Sequence, residues 1–177
     1  MADWPEFDAL NRKRQEAERQ RIALQKSKEE DERQKQAAFQ EKVVLFRPRF
    51  IELLSYWDKI IADYLPRVAK GTWEEWQGSV SPSLYNHEPS DGNINLRVED
   101  QLRGEESIID WTVGHNNYYY TILVYVKDFK AIRLVVKGKN EHIAKGANED
   151  ELKKALLIAF QEGPEYISPP DNSWSVN

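Results

Sequence analysis

With 177 residues, 25 basic and 30 acidic, the chain carries a formal net charge of -5. That length buries a core without staples, and that charge works against attraction to phosphate backbones. The absence of cysteine excludes a disulfide framework, a thiol nucleophile and a thiolate metal site. Residues 1–10 lack the basic-then-apolar pattern of a secretory leader. No window approaches the ~18 apolar residues of a membrane span. Nucleic acid and membrane are therefore not expected partners, and the expected location is cytoplasmic.

Asp3, Pro5 and Glu6 read as a helix start, with Asp3 as cap and the proline in the first turn. Residues 11–36 follow with Arg, Lys, Gln, Glu and Asp and neither Gly nor Pro, a composition that favours helix while offering little to bury. Basic and acidic side chains balance over residues 1–36, which argues further against a nucleic-acid arm. Leu10, Ala17 and Leu24 recur at heptad spacing, but Asp31 breaks the series and the companion seam is polar. A coiled coil takes two apolar positions per heptad, and this segment supplies one. The expectation is a charged helical arm, 1–36, docking on a protein partner through Trp4, Phe7, Leu10 and Leu24, with a self-paired homodimer as the alternative.

A domain is expected over 37–167. Phe39, Val43, Phe46, Phe50, Leu53, Trp57, Ile61, Leu65 and Val68 form the stripe of an amphipathic helix, and Pro48 predicts a kink or break. Residues 73–80 are a weak strand candidate, and 87–92 a loop. Residues 93–99 alternate Ile94, Leu96 and Val98 against Asn95, Arg97 and Glu99, as a half-buried strand does. Residues 108–113 alternate likewise, and 114–117 (GHNN) form a turn. Residues 118–126 (YYYTILVYV) are apolar or aromatic on both faces, the mark of a central strand. Residues 131–137 then set Ile132, Leu134 and Val136 against Ala131, Arg133 and Val135. Asn148 as cap, Glu151 three residues later and Gly163-Pro164 as stop delimit a last helix with Leu152, Ala155, Leu156, Ala159 and Phe160 as its stripe. Residues 168–177 read as an extended tail carrying Trp174.

These elements predict an α+β fold: an antiparallel meander of four or five strands covered on one face by two helices, with the arm in front. The other sheet face should carry Arg97, Asp110, Tyr119, Tyr125 and Arg133, residue types suited to a partner or ligand surface. Asp110 is the one acid set among apolar residues in a strand, with Arg97 or Arg133 as possible pairs. The aromatics Trp57, Trp73, Trp76 and Trp111 are expected in the core.

His87, His115 and His142 fall in predicted loops without HxH or HExxH spacing, and no phosphate-cradling or nucleophile-elbow motif occurs. No catalytic residue, metal or cofactor is assigned. The expected function is a non-enzymatic interaction module, an adaptor, small chaperone or assembly subunit. The alternative is a small-ligand binding domain or enzyme using the aromatic sheet face.

Overall fold

The computed structural model describes residues 5–79 and 91–168, without the side chains of 5–8 and 91. The chain is mixed α and β, with three helices and an antiparallel sheet. Two compact units divide it, Met1–Lys42 and Val43–Asn177.

β2 (Tyr118–Lys127) is the inner strand expected from its two apolar faces. It pairs antiparallel with β1 (Ser107–His115) on one side and with β3 (Lys130–Lys137) on the other. Asn116-Asn117 and Asp128-Phe129, all at positive φ, make the two tight turns. Asparagine and aspartate tolerate that conformation, whereas an aromatic residue there is strained. Phe129 is held by its N–H donating to Gln101 Oε1 at 2.8 Å and by its ring stacking on Phe46 at 5.1 Å.

Two short strands escaped the sequence reading. β4 (Glu141–Ala144) pairs with β3, and β5 (Glu165–Tyr166) pairs with the start of β2. At four residues and two residues, neither is long enough to establish an alternation. Between Tyr125 and Val126 the β2–β3 register shifts, so Arg133 faces Tyr125 and Ala131 faces Val126. Ile132 is the extra residue of this bulge. It is 44% exposed, not aligned with Leu134 and Val136 as simple alternation predicts.

α1 runs from Pro5 to Thr72 with Pro48 and Pro66 inside it. Of the kink or break expected at Pro48, the break does not occur. Pro48 leaves the Val44 carbonyl without its helical donor, but both residues lie on the exposed side, where water can serve that carbonyl, and Val43 and Phe50 are buried on the other. Val43, Phe50, Leu54, Trp57, Ile61, Leu65 and Ala69 are the buried stripe.

Residues 93–99 are not a strand but part of α2 (Asp91–Leu102). Ile94 and Val98 fit a helix face at i, i+4 as well as they fit alternation. The buried series continues to Gln101, while Leu96 is 58% exposed. Residues 73–79 form no strand either. Trp73 packs on Tyr120 at 5.6 Å, and Trp76 is buried.

α3 (Glu149–Glu162) has the expected ends. Asn148 Oδ1 accepts from the Glu151 N–H at 3.0 Å, and Gly163, at φ 96°, donates its N–H to Ala159 O. The side chains of Ile109, Trp111, Val113, Tyr120, Ile122, Val124, Leu134 and Val136 share one sheet face by register, and all are buried. α1, α2 and α3 cover that face, one helix more than the sequence reading expected. Trp111 Nε1–H donates to Asp58 of α1 at 3.0 Å, Gln101 of α2 donates to Ser107 Oγ at 2.8 Å, and α3 lies on β3 and β4. Burying these side chains contributes roughly 1.5–3 kcal/mol each, offset largely by the chain entropy of ordering them.

Candidate functional site

The sheet face turned away from the helices is the candidate site, and alternation along each strand decides what stands on it. Cross-strand register arranges its side chains in rows. Ile108, Tyr125 and Arg133 form one, and Asp110, Leu123, Val135 and Ile143 the next. Thr112, Thr121, Lys137 and Glu141 form a third, and Gly114, Tyr119 and Glu165 a fourth.

Asp110, Tyr119, Tyr125 and Arg133 thus stand together on this face. Arg97 does not join them, because it lies on α2, where its guanidinium is 3.6 Å from Asp100. The helix absorbs the arginine that alternation assigned to the sheet.

Each row has its own chemistry. The Arg133 guanidinium sits 3.8 Å from the centre of the Tyr125 ring, so aromatic and cation form one unit. Tyr119 lies over Gly114 so closely that a Cβ on the glycine would meet its ring, which shields that bare stretch of backbone. Thr112 and Thr121 hydroxyls are 3.3 Å apart, and Lys137 pairs with Glu141 at 3.3 Å. The Asp110 row is the apolar one: Val135 is buried at its middle, whereas Ile143 is 59% exposed at its end. Ile108 is also exposed, at 39%.

No described helix covers this face. Asp110, Tyr119, Tyr125 and Arg133 line none of five concavities found among the described residues, although Glu141 and Ile143 at the β4 edge line one with α3. A face of mixed aromatic, aliphatic and charged groups has the composition of a surface that contacts a macromolecule.

The arm presents a different surface. From Ala9 to Lys42 every side chain is exposed apart from the half-buried Asn11 and Phe39. Leu10 is 47% and Leu24 59% exposed, and Ile22, which the heptad reading passed over, is 46% exposed. Trp4 and the Phe7 side chain lie outside the described residues, as do the Asp3 cap, His87 and Trp174.

Titratable groups cluster elsewhere. His142 Nε2 is 2.6 Å from Glu162 Oε2, which also accepts from Asn140 Nδ2 at 3.0 Å. The sequence reading gave His142 a loop and no carboxylate. β4 and α3 bring the two together across 20 positions, beyond any local pattern. Asn140 and then His142 hold the Glu162 carboxyl below its usual range. On the far side of α3, Tyr64 Oη donates to Glu149 Oε1 at 2.7 Å and Lys153 Nζ is 3.0 Å from the same oxygen. Tyr64 first, then Lys153, lower the Glu149 carboxyl, and the Lys153 ammonium is raised by Tyr64 first and then by Glu149.

Among the described residues no group of three or more His, Asp or Glu is placed to hold a metal ion. No described helix is long and apolar enough to cross a membrane. Trp57, Trp76 and Trp111 are core residues as expected, whereas Trp73 is only half-buried; Tyr56 is 55% exposed. No protein-family model, curated protein or solved structure matches this chain.

Proposed function

We propose that the protein is a non-enzymatic interaction module of the cytoplasm, an adaptor, small chaperone or assembly subunit. It docks on a partner protein through its helical arm and its open sheet face. The observation that carries this reading is the sheet face itself. Tyr125 stacked with Arg133, and the apolar row ending at Ile143, stand on the sheet without a described helix over them. Aromatic and arginine anchors of this kind supply most of the energy in protein interfaces. The exposed leucines of the arm support a second contact.

The test is comparative capture from the protein's own cells by cross-linking. The bait is the full chain, a Tyr125→Ser/Arg133→Ser variant, or a Leu10→Ser/Leu24→Ser variant. Loss of a hot-spot anchor costs about 2 kcal/mol, roughly a 30-fold loss of affinity, so a cross-linked species specific to the full chain should fade with either variant. A captured species of equal intensity in all three baits contradicts the reading. If that species has twice the mass of the chain, the partner is a second copy.

A further inference from the structure

We propose that the groove between α1 and α3 receives one large apolar side chain from a segment of a partner protein that carries acidic residues beside it. Two matching stripes build the groove. Tyr64, Arg67, Val68 and Gly71 fall at i, i+3, i+4 and i+7 on α1, and Lys153, Leu156, Leu157 and Phe160 do so on α3, so each set shares one helix face. The helices are tied at both ends of these stripes. At one end Tyr64 Oη donates to Glu149 Oε1 at 2.7 Å, and at the other the Phe160 ring packs over Gly71, 2.9 Å from where a Cβ would stand. Between the two ties an opening of about 220 Å³ remains.

The apolar lining sets the size of the occupant. Leu156 is buried at the bottom of the opening, whereas Leu157 is 58% and Phe160 38% exposed, a patch that an apolar group would cover. The volume falls below the roughly 300 Å³ at which small-ligand pockets begin, and a cavity of about 150 Å³ takes up benzene. One large side chain matches that space.

Charge selects what stands beside it. On a chain of net charge -5, the groove is lined by Arg67 and Lys153 and, among the described residues, by no carboxylate. Their own partners Asp63 and Glu149 line instead a neighbouring hollow that shares Tyr64 with the groove. Asp63 meets Arg67 through Nη2, at 2.8 and 3.0 Å, and Glu149 and Asp150 lie 3.0 and 4.0 Å from Lys153 Nζ. A guanidinium has five N–H donors and an ammonium three, so both cations keep donors for a further carboxylate. Both also rest against the Tyr64 ring, Arg67 at 5.4 Å and Lys153 at 5.1 Å, which places them beside the apolar opening before any partner arrives. The groove lies in the helix layer, across the sheet from the open face, so this contact and the one proposed for that face succeed or fail separately.

The test is an NMR titration of the full chain at low salt with three short peptides. The first has one phenylalanine flanked by glutamates, the second has lysines in place of the glutamates, and the third has serine in place of the phenylalanine. The first should shift the Leu157 and Phe160 signals with a roughly millimolar Kd, and the other two should bind about tenfold more weakly. Arg67→Glu combined with Lys153→Glu, both at exposed positions, should reverse the preference between the acidic and basic phenylalanine peptides. Absence of any shift at Leu157 and Phe160, or equal binding of those two peptides, overturns the proposal. Binding indifferent to the phenylalanine also overturns it, by reducing the contact to surface charge. Shifts at the same residues on raising the protein concentration without peptide overturn it as well and make the occupant a second copy.

Discussion

At the scale of single residues, Glu162 shows how one side chain can tie two elements that are distant in sequence. Its carboxylate accepts from Asn140 and meets His142, so the ionised form is favoured in the fold and the pKa lies below the ordinary 4.5. A depressed carboxyl adds stability that is fully present above its unfolded pKa and is lost as pH falls through the folded one. Glu162 therefore supports the fold at neutral pH and withdraws that support in the acid range below about pH 4.5. Glu162→Gln should lower the urea midpoint at pH 7 and shrink the drop between pH 7 and pH 3. An unchanged drop in the variant would show that the β4–α3 tie carries no proton-linked stability. Glu149, depressed by Tyr64 and Lys153, sustains part of the acid sensitivity in that variant.

Sequence legibility at this scale followed distance along the chain. The Asn148–Glu151 cap lies within one turn and its pattern is readable. The Glu162–His142 pair depends on a strand too short to recognise. Tyr119, Tyr125, Asp110 and Arg133 were legible as one face because alternation is local. That Arg133 stacks on Tyr125 was not, because it depends on the register between strands and on the bulge at Ile132.

At the scale of elements, α2 is the instructive departure. Three apolar residues at two-residue spacing satisfied a strand, and only the continuation to Gln101 distinguishes a helix face. Gln101 also explains why that helix sits where it does. Its Nε2 donates to Ser107 Oγ at 2.8 Å and to Val126 O at 2.9 Å, and its Oε1 accepts from the Phe129 N–H at 2.8 Å. One buried amide thereby joins α2, the start of β1, the end of β2 and the strained turn at Phe129. Replacing it with leucine leaves the Phe129 N–H without its acceptor and brings no compensating bond. Gln101→Leu should cost about 2–3 kcal/mol by denaturant unfolding. A loss under about 0.5 kcal/mol would mean that the turn holds itself. The helix α1 teaches a complementary lesson. A proline predicts a break from local backbone chemistry, but apolar contacts at Val43 and Phe50 on either side of Pro48 keep the helix continuous.

At the scale of the whole molecule, the unit Val43–Asn177 buries one sheet face under helices and leaves the other outside them, while the described residues of the unit Met1–Lys42 are helical from Pro5 with little of their own to bury. The fold class was legible because β2 is apolar on both faces and because α3 is capped at both ends. The proposed function leaves less trace in sequence, since binding through a surface takes no motif: it takes an arrangement of ordinary residues, set by the register between strands. Each unit exposes apolar side chains that an interface would cover.

The central claim, that the open sheet face is a docking surface, is tested most directly by oxidative footprinting of the full chain inside its own cells and after purification. The account predicts that Tyr125, Leu123 and Ile143 are protected in cells and reactive once purified, while Tyr56 reacts alike in both. Equal reactivity of the sheet-face residues in the two settings would contradict it.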